Sequence, residues 1–129
     1  MMKRLLLYLL LTLVSLSAIS QSQVAYREYN KYRDRDEFFD RSGTRIGYAQ
    51  YNKYRDRTEY FDNNGNVVKY EQENKYMDRI DITDTNYKRI GYKKWNKYRD
   101  RWEVYDNDGR MTMYYQWNKY RDRWEYYEY

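Results

Sequence analysis

Eight side chains in the last third of the chain have types and a spacing that could recognise a ligand. They are Trp95, Trp117, Tyr105 and Tyr127, with Arg101, Arg123, Glu103 and Glu125 beside them. Indole and phenol rings offer flat apolar faces that stack on the C–H faces of a sugar ring. The guanidinium and carboxylate forks nearby can hydrogen-bond its hydroxyls. The eight form two sets of four, and each member of one set lies 22 residues from its counterpart in the other.

Other chemistries lack their parts. The chain has no His and no Cys, so a histidine triad, a thiol nucleophile, a disulfide and an ordinary zinc or haem site have no ligands or nucleophiles to build from. Paired carboxylates could suggest a glycosidase, but the acidic residues recur from copy to copy, whereas a catalytic centre is a single asymmetric site. Asp106 and Asp108 before Gly109 do not make a calcium loop, because no bidentate Glu sits at the right distance. Arg, Lys and stacking rings could also suit nucleic acid, yet each cation has an acidic neighbour, which reads as a salt-bridged, solvated surface. The expectation is a protein without enzymatic activity, cofactor, metal or nucleic-acid partner.

The 22-residue spacing runs through the chain. Asn-Lys-Tyr begins at Asn30, Asn52, Asn74, Asn96 and Asn118, and Tyr26, Tyr48, Tyr70, Tyr92 and Tyr114 keep the same step. The array comprises a half repeat over 21–28, copies over 29–50, 51–72, 73–94 and 95–116, and a partial copy over 117–129. A fixed period of this length marks a repeat architecture. From residue 21 on there is no leucine, while 19 of the 20 tyrosines and all Trp and Phe lie there. Such aromatic, β-branched composition favours strands over a helical bundle.

Each copy reads as a short strand, a turn, a long strand and a second turn. Arg101 to Asp106 is a short strand, and a long one lies near Met111 to Lys119. Between them Asp106-Asn107-Asp108-Gly109, like Asp40-Arg41-Ser42-Gly43 and Asp62-Asn63-Asn64-Gly65, has the chemistry of a type I turn whose glycine takes positive φ and makes a bulge. The second turn, around Tyr120-Arg121-Asp122, has no glycine. About ten strands in an antiparallel meander follow, giving an all-β protein of tandem 22-residue β-hairpins. One apolar face is not stable alone, so the sheet either curls into a barrel or roll, or its hairpins stack as a solenoid. Strand alternation places Phe38, Tyr60, Ile80, Ile82, Trp102, Val104, Trp124 and Tyr126 on a packed face. Across the hairpin turns the same face receives Val24, Tyr26, Ile46, Tyr48, Val68, Tyr70, Ile90, Tyr92, Thr112 and Tyr114. The other face carries the repeated Arg and Glu, with Phe39, Phe61, Tyr105, Tyr127, Trp95 and Trp117.

The third copy departs from its siblings. Glu73 replaces Tyr or Trp, Met77 replaces Arg, Thr83 replaces Phe or Tyr, and Tyr87 occupies the glycine position. Positive φ is costly for a tyrosine, so this turn is expected to shift, with Asn86 taking the left-handed conformation, and to be the weakest point of the array.

Residues 1–20 have a different character. A basic start, Met1-Met2-Lys3-Arg4, precedes an apolar run from Leu5 to Val14, and Ala18-Ile19-Ser20 supplies small residues for cleavage before Gln21. This is the layout of a secretory signal, too short and too serine-rich at its end for a membrane span. Its removal takes Lys3 and Arg4 and lowers the net charge from +5 to +3. The mature chain, 21–129, is expected to be exported, as a periplasmic, cell-surface or secreted protein without a membrane span.

The stretch Trp102-Glu103-Val104-Tyr105-Asp106-Asn107-Asp108-Gly109-Arg110-Met111, with Trp95 seven residues before Trp102, resembles the hairpin of choline- and glucan-binding cell-wall repeats. It is also similar to the MORN-type variant repeat and to the Tyr-Asp-x-x-Gly repeats of large secreted toxin-like proteins. Each resemblance covers about one hairpin per repeat. The first implies stacked β-hairpins that bind ligands between aromatic rings. The period of those repeats is nearer twenty, and Gln116 stands here where they have glycine. The function expected from residues and resemblance together is an exported binding module for a glycan or envelope protein. A structural or self-associating repeat protein, forming a homo-oligomer, is the alternative.

Overall fold

The computed structural model describes residues 23–129. The leader expected over 1–20 and the first two residues of the half repeat lie outside the described residues. The ten strands are β1 (Gln23–Asn30), β2 (Arg35–Asp40), β3 (Arg45–Asn52), β4 (Arg57–Asp62), β5 (Val67–Asn74), β6 (Arg79–Thr83), β7 (Arg89–Asn96), β8 (Arg101–Asp106), β9 (Met111–Asn118) and β10 (Arg123–Glu128). Each pairs antiparallel with its neighbours in sequence, and β10 pairs with β1, so the meander closes into a barrel. Of the two architectures expected, the barrel is realised; closure leaves no edge strand to protect.

Two kinds of turn alternate. At one end Asp40 opens a turn in which its carbonyl accepts from Gly43 N (3.0 Å) and its carboxylate accepts from Ser42 N and Thr44 N. Gly43 sits at φ +92° and Gly109 at +84°. At the other end the glycine-free turn is built by the Asn of Asn-Lys-Tyr: Asn30 Oδ1 accepts from Tyr32 N and Arg33 N at 3.0 and 3.1 Å. Asp34, Asp56, Asp78, Asp100 and Asp122 take the left-handed conformation there, with φ between 52° and 56°. Aspartate tolerates that region better than most residues.

The inward positions of the short strands are the expected ones. Phe38, Tyr60, Ile82, Val104 and Tyr126 are buried around the barrel's interior. Burying a side chain such as Phe38 contributes about 2–3 kcal/mol. The long strands correct the expectation. Tyr26, Tyr48, Tyr70, Tyr92 and Tyr114 face outward, each directly opposite Phe39, Phe61, Thr83, Tyr105 and Tyr127 in turn. The cause is a β-bulge in every copy. Phe38 pairs with Gly47 and Phe39 with Arg45, so Ile46 is extra. Val24, Val68, Ile90 and Thr112 are its equivalents. An extra residue reverses the parity of the strand beyond it. Ile46 and Val68 therefore join the core, while inward positions further along fall to Ala25, Arg27, Ala49, Lys69, Glu71, Lys93, Met113 and Tyr115.

Outside, the repeat builds a ladder. Tyr48 stacks on Phe61 of the next copy with centroids 4.9 Å apart, and Arg35 of its own copy lies 3.9 Å over the Tyr48 ring. The arrangement repeats around the barrel until Arg123 covers Tyr26 at 3.7 Å, so the last copy closes on the half repeat. Each cation–π contact adds about 0.5–1 kcal/mol. Arg35 Nε also donates to Glu37 Oε2 (3.0 Å), and Asn30 Nδ2 donates to Glu37 Oε1. One Asn thus ties the turn to the ladder.

In the third copy the Asp84 turn keeps its hydrogen bonds, Tyr87 N to Asp84 O at 3.0 Å and Asp84 N to Lys88 O at 2.9 Å. The expected shift to Asn86 does not occur: Tyr87 itself adopts φ +66°. Its ring stacks on Tyr70 at 5.4 Å and 6°, filling the outward place that Thr83 leaves empty. The stack holds a conformation that a tyrosine otherwise avoids.

Candidate functional site

The inward residue just before each Asn-Lys-Tyr turn lines the barrel mouth. In chain order these are Tyr29, Tyr51, Glu73, Trp95 and Trp117, so the bulge also moves Trp95 and Trp117 from the outer face expected for them to the inner side, opposite Trp102 and Trp124. Tyr29 and Tyr51 donate their hydroxyls to Asp34 and Asp56 of their own turns. Trp95 meets Trp102 edge-on at 5.6 Å and 69°, and Trp117 meets Trp124 at 5.5 Å and 71°. Glu73, where an aromatic is missing, leaves room beside the first tryptophan pair. A cleft of about 910 Å³ opens there over the rim of β5–β8, lined among others by Glu73, Asn74, Arg79, Ile80, Lys93, Trp95, Lys97, Tyr98 and Trp102. A smaller one, about 670 Å³, lies between the first two copies and has Tyr29, Tyr51 and Tyr54 but no tryptophan.

Lys93, at the inner side of the larger cleft, belongs to a buried polar cluster. Its Nζ lies 2.7 Å from Glu71 Oε1 and donates to Tyr115 Oη at 2.6 Å. Lys69 Nζ holds Glu71 Oε2 at 3.1 Å, and Tyr60 donates to Glu71 Oε1 at 2.8 Å. Burial works against the Glu71 carboxylate, but the two ammonium groups outweigh it and hold its carboxyl down at about 2. Burial pulls the Lys69 ammonium down to about 8 despite Glu71. Nearby, the Arg27 guanidinium packs over Tyr115 and Trp124 at 5.4 and 5.3 Å, and its buried Nε has no hydrogen-bond partner. The cleft therefore combines an aromatic corner, open since Trp95 is 43% exposed, with acids, amides and ammonium groups at several depths. Such a lining can stack an apolar face and hydrogen-bond polar groups beside it.

Of the eight residues singled out by sequence, Trp95, Glu103 and Tyr105 line this cleft. Trp117 sits on the inner rim one copy further on. Arg101, Arg123, Glu125 and Tyr127 belong to the outer ladder: Arg101 covers Tyr114 at 3.9 Å and Arg123 covers Tyr26, Glu125 is bound by Arg123 at 2.9 Å, and Tyr127 stacks on Tyr114 at 5.1 Å. The structure does not bring the eight together. Glu103 and Tyr105 are also ladder members, joined by a 2.9 Å hydrogen bond; burial, with Glu103 beside it, pushes the Tyr105 hydroxyl up to about 12. Sequence reasoning misses Trp102, placed with the packed face, together with Glu73 and Lys93. The signal that could have found them is the departure at Glu73, which marks one mouth position as unlike the rest.

No family model matches the chain, and no curated protein matches it. A structure comparison finds a protein of Arabidopsis thaliana, solved by X-ray crystallography, with a TM-score of 0.52 and 10% sequence identity, covering 85% of this chain and 82% of the other. At that identity the likeness concerns fold alone.

Proposed function

We propose that the chain is an exported, non-catalytic β-barrel module that binds a cell-envelope or extracellular glycan in the cleft between its third and fourth copies. The observation that carries the reading is the open Trp95–Trp102 corner facing Glu73 and Asn74 across the notch in the mouth. Rings at 69° present two apolar walls to a saccharide, and the acid, amide and ammonium groups around them match its hydroxyls. The hairpin resemblance to choline- and glucan-binding cell-wall repeats supports the same ligand class, and the leader over 1–20 supports export. Two acids in and beside the cleft are tied up by cationic partners. Glu103 is bonded by Arg101, Tyr105 and Asn96, and these outweigh burial to keep its carboxyl below the usual range. Glu71 is held ionised, so neither is poised to donate a proton.

Tryptophan fluorescence titrated with soluble peptidoglycan fragments and β-glucan oligosaccharides tests the reading. A saturable shift is expected, weakened about 10-fold or more by Trp95→Ala. No shift with either glycan, or a shift that Trp95→Ala leaves intact, refutes it.

A further inference from the structure

The five Asn-Lys-Tyr turns share a feature that the fold does not use and that the larger cleft touches only in the third and fourth turns, at Lys75, Lys97 and Tyr98. Tyr32, Tyr54, Tyr76, Tyr98 and Tyr120 are 88% to 99% exposed. None of their hydroxyls makes a hydrogen bond among the described residues. In four of the five turns the ring lies against the preceding lysine, with Nζ 5.4 to 5.6 Å from the centroid. The turn itself depends on the Asn side chain and on Asp in the left-handed region, so a serine would serve it equally well. Scattered exposed aromatics need no explanation, but a closed ring of five does.

Geometry and charge describe what that ring would fit. All five turns leave strands of equal length in the same register, Asn30 opposite Arg35 and likewise around the barrel. They therefore stand at one level on one end, about 10 Å apart along a rim on the order of 20 Å across. The turn segments 31–34, 53–56, 75–78, 97–100 and 119–122 carry nine basic and five acidic residues, a net +4. The turns at the opposite end, 41–44, 63–66, 85–88 and 107–110, carry a net +2. A level, cationic, tyrosine-tipped ring is complementary to a flat anionic surface. A linear polymer could reach only two or three tips at once, and a second copy would bring +4 against +4. Tyrosine rings settle at the headgroup level of a bilayer, and lysines are drawn to its anionic lipids.

We propose that this crown docks the barrel, end-on, against a bilayer surface bearing anionic phospholipid. The inference goes beyond the glycan reading and does not depend on it.

The test is co-sedimentation of residues 21–129, which hold all ten strands and the core, with phosphatidylcholine vesicles containing one quarter phosphatidylglycerol. Controls are pure phosphatidylcholine vesicles and about 0.5 M salt. Two triple variants avoid the larger cleft: Lys31→Gln/Lys53→Gln/Lys119→Gln and Tyr32→Ser/Tyr54→Ser/Tyr120→Ser. Circular dichroism and melting verify that each folds. Binding is expected to anionic vesicles only and to fade in salt. The lysine variant should lose roughly 100-fold in partition coefficient and the tyrosine variant about 10-fold. Failure to bind anionic vesicles, equal binding to neutral ones, or folded variants that bind like wild type would each overturn the proposal. Crown-dependent retention on an acidic polysaccharide, or crown-dependent dimerisation, without vesicle binding would overturn it in favour of those partners.

Discussion

Replacing Thr83 and Tyr87 together would convert the third copy to the pattern of its neighbours, and the structure predicts how the two changes interact. Positive φ at Tyr87 costs about 1–2 kcal/mol for a residue with a Cβ. Its stack on Tyr70 offsets about 1 kcal/mol of that. Tyr87→Gly removes both effects and should leave stability within about 1 kcal/mol of wild type. Thr83→Phe alone should also be nearly neutral, because the new ring takes the place on Tyr70 and displaces Tyr87, which stays strained. In the double variant the introduced phenylalanine stacks on Tyr70 as Phe61 does on Tyr48, and the introduced glycine accepts positive φ without strain. After allowance for glycine's larger chain entropy, the double variant should gain about 1 kcal/mol, a rise of roughly 4–8 °C in melting temperature for a domain of this size. Thermal and urea unfolding of all four proteins give the cycle. A coupling near about 1 kcal/mol is expected, and additive effects within about 0.3 kcal/mol would refute the compensation.

The buried cluster makes two further predictions. Lys69 falls from its ordinary 10.5 to about 8 in the folded chain, so between those values the unfolded chain binds more protons and stability rises with pH, on the order of 2 kcal/mol by about pH 9.5. Above about pH 10 the trend reverses, because burial raises the hydroxyls of Tyr60, Tyr115 and Tyr126. A melting temperature flat or falling from about pH 7.5 to about 9.5 would contradict the buried position of Lys69. Glu71→Gln leaves two ammonium groups without their shared carboxylate and should cost roughly 3 kcal/mol at about pH 7. A loss below about 1 kcal/mol in urea unfolding would mean that water reaches the cluster.

Much of the fold is legible in the sequence because the repeat averages over local ambiguity. The 22-residue step, the Asp-x-x-Gly turns and the alternation of the short strands are enough to place ten strands and the inward Phe38, Tyr60, Ile82, Val104 and Tyr126. The long strands are misread because the bulge beyond the turn, unlike the one marked by the turn glycine, leaves no residue signature: Val24, Ile46, Val68, Ile90 and Thr112 look like ordinary inward positions, and nothing announces that parity reverses after them. Lys69, Glu71 and Lys93 are invisible as core for the same reason, since charge normally marks the surface. Of the residues singled out by chemistry, Trp95 lines the larger cleft, while Arg101, Arg123 and Glu125 use the same chemistry in the ladder. Repetition itself is the clue to that difference. Side chains present in every copy serve the closed ring, and Glu73, where one copy differs, opens the cleft.

Amide chemical-shift mapping during titration with a β-glucan or peptidoglycan fragment tests the binding reading most directly. Shifts concentrated on residues 73–75, 78–80, 93–98 and 102 are the predicted result. Shifts spread over the outer ladder around Arg123 and Tyr127, or none at saturating glycan, would contradict it.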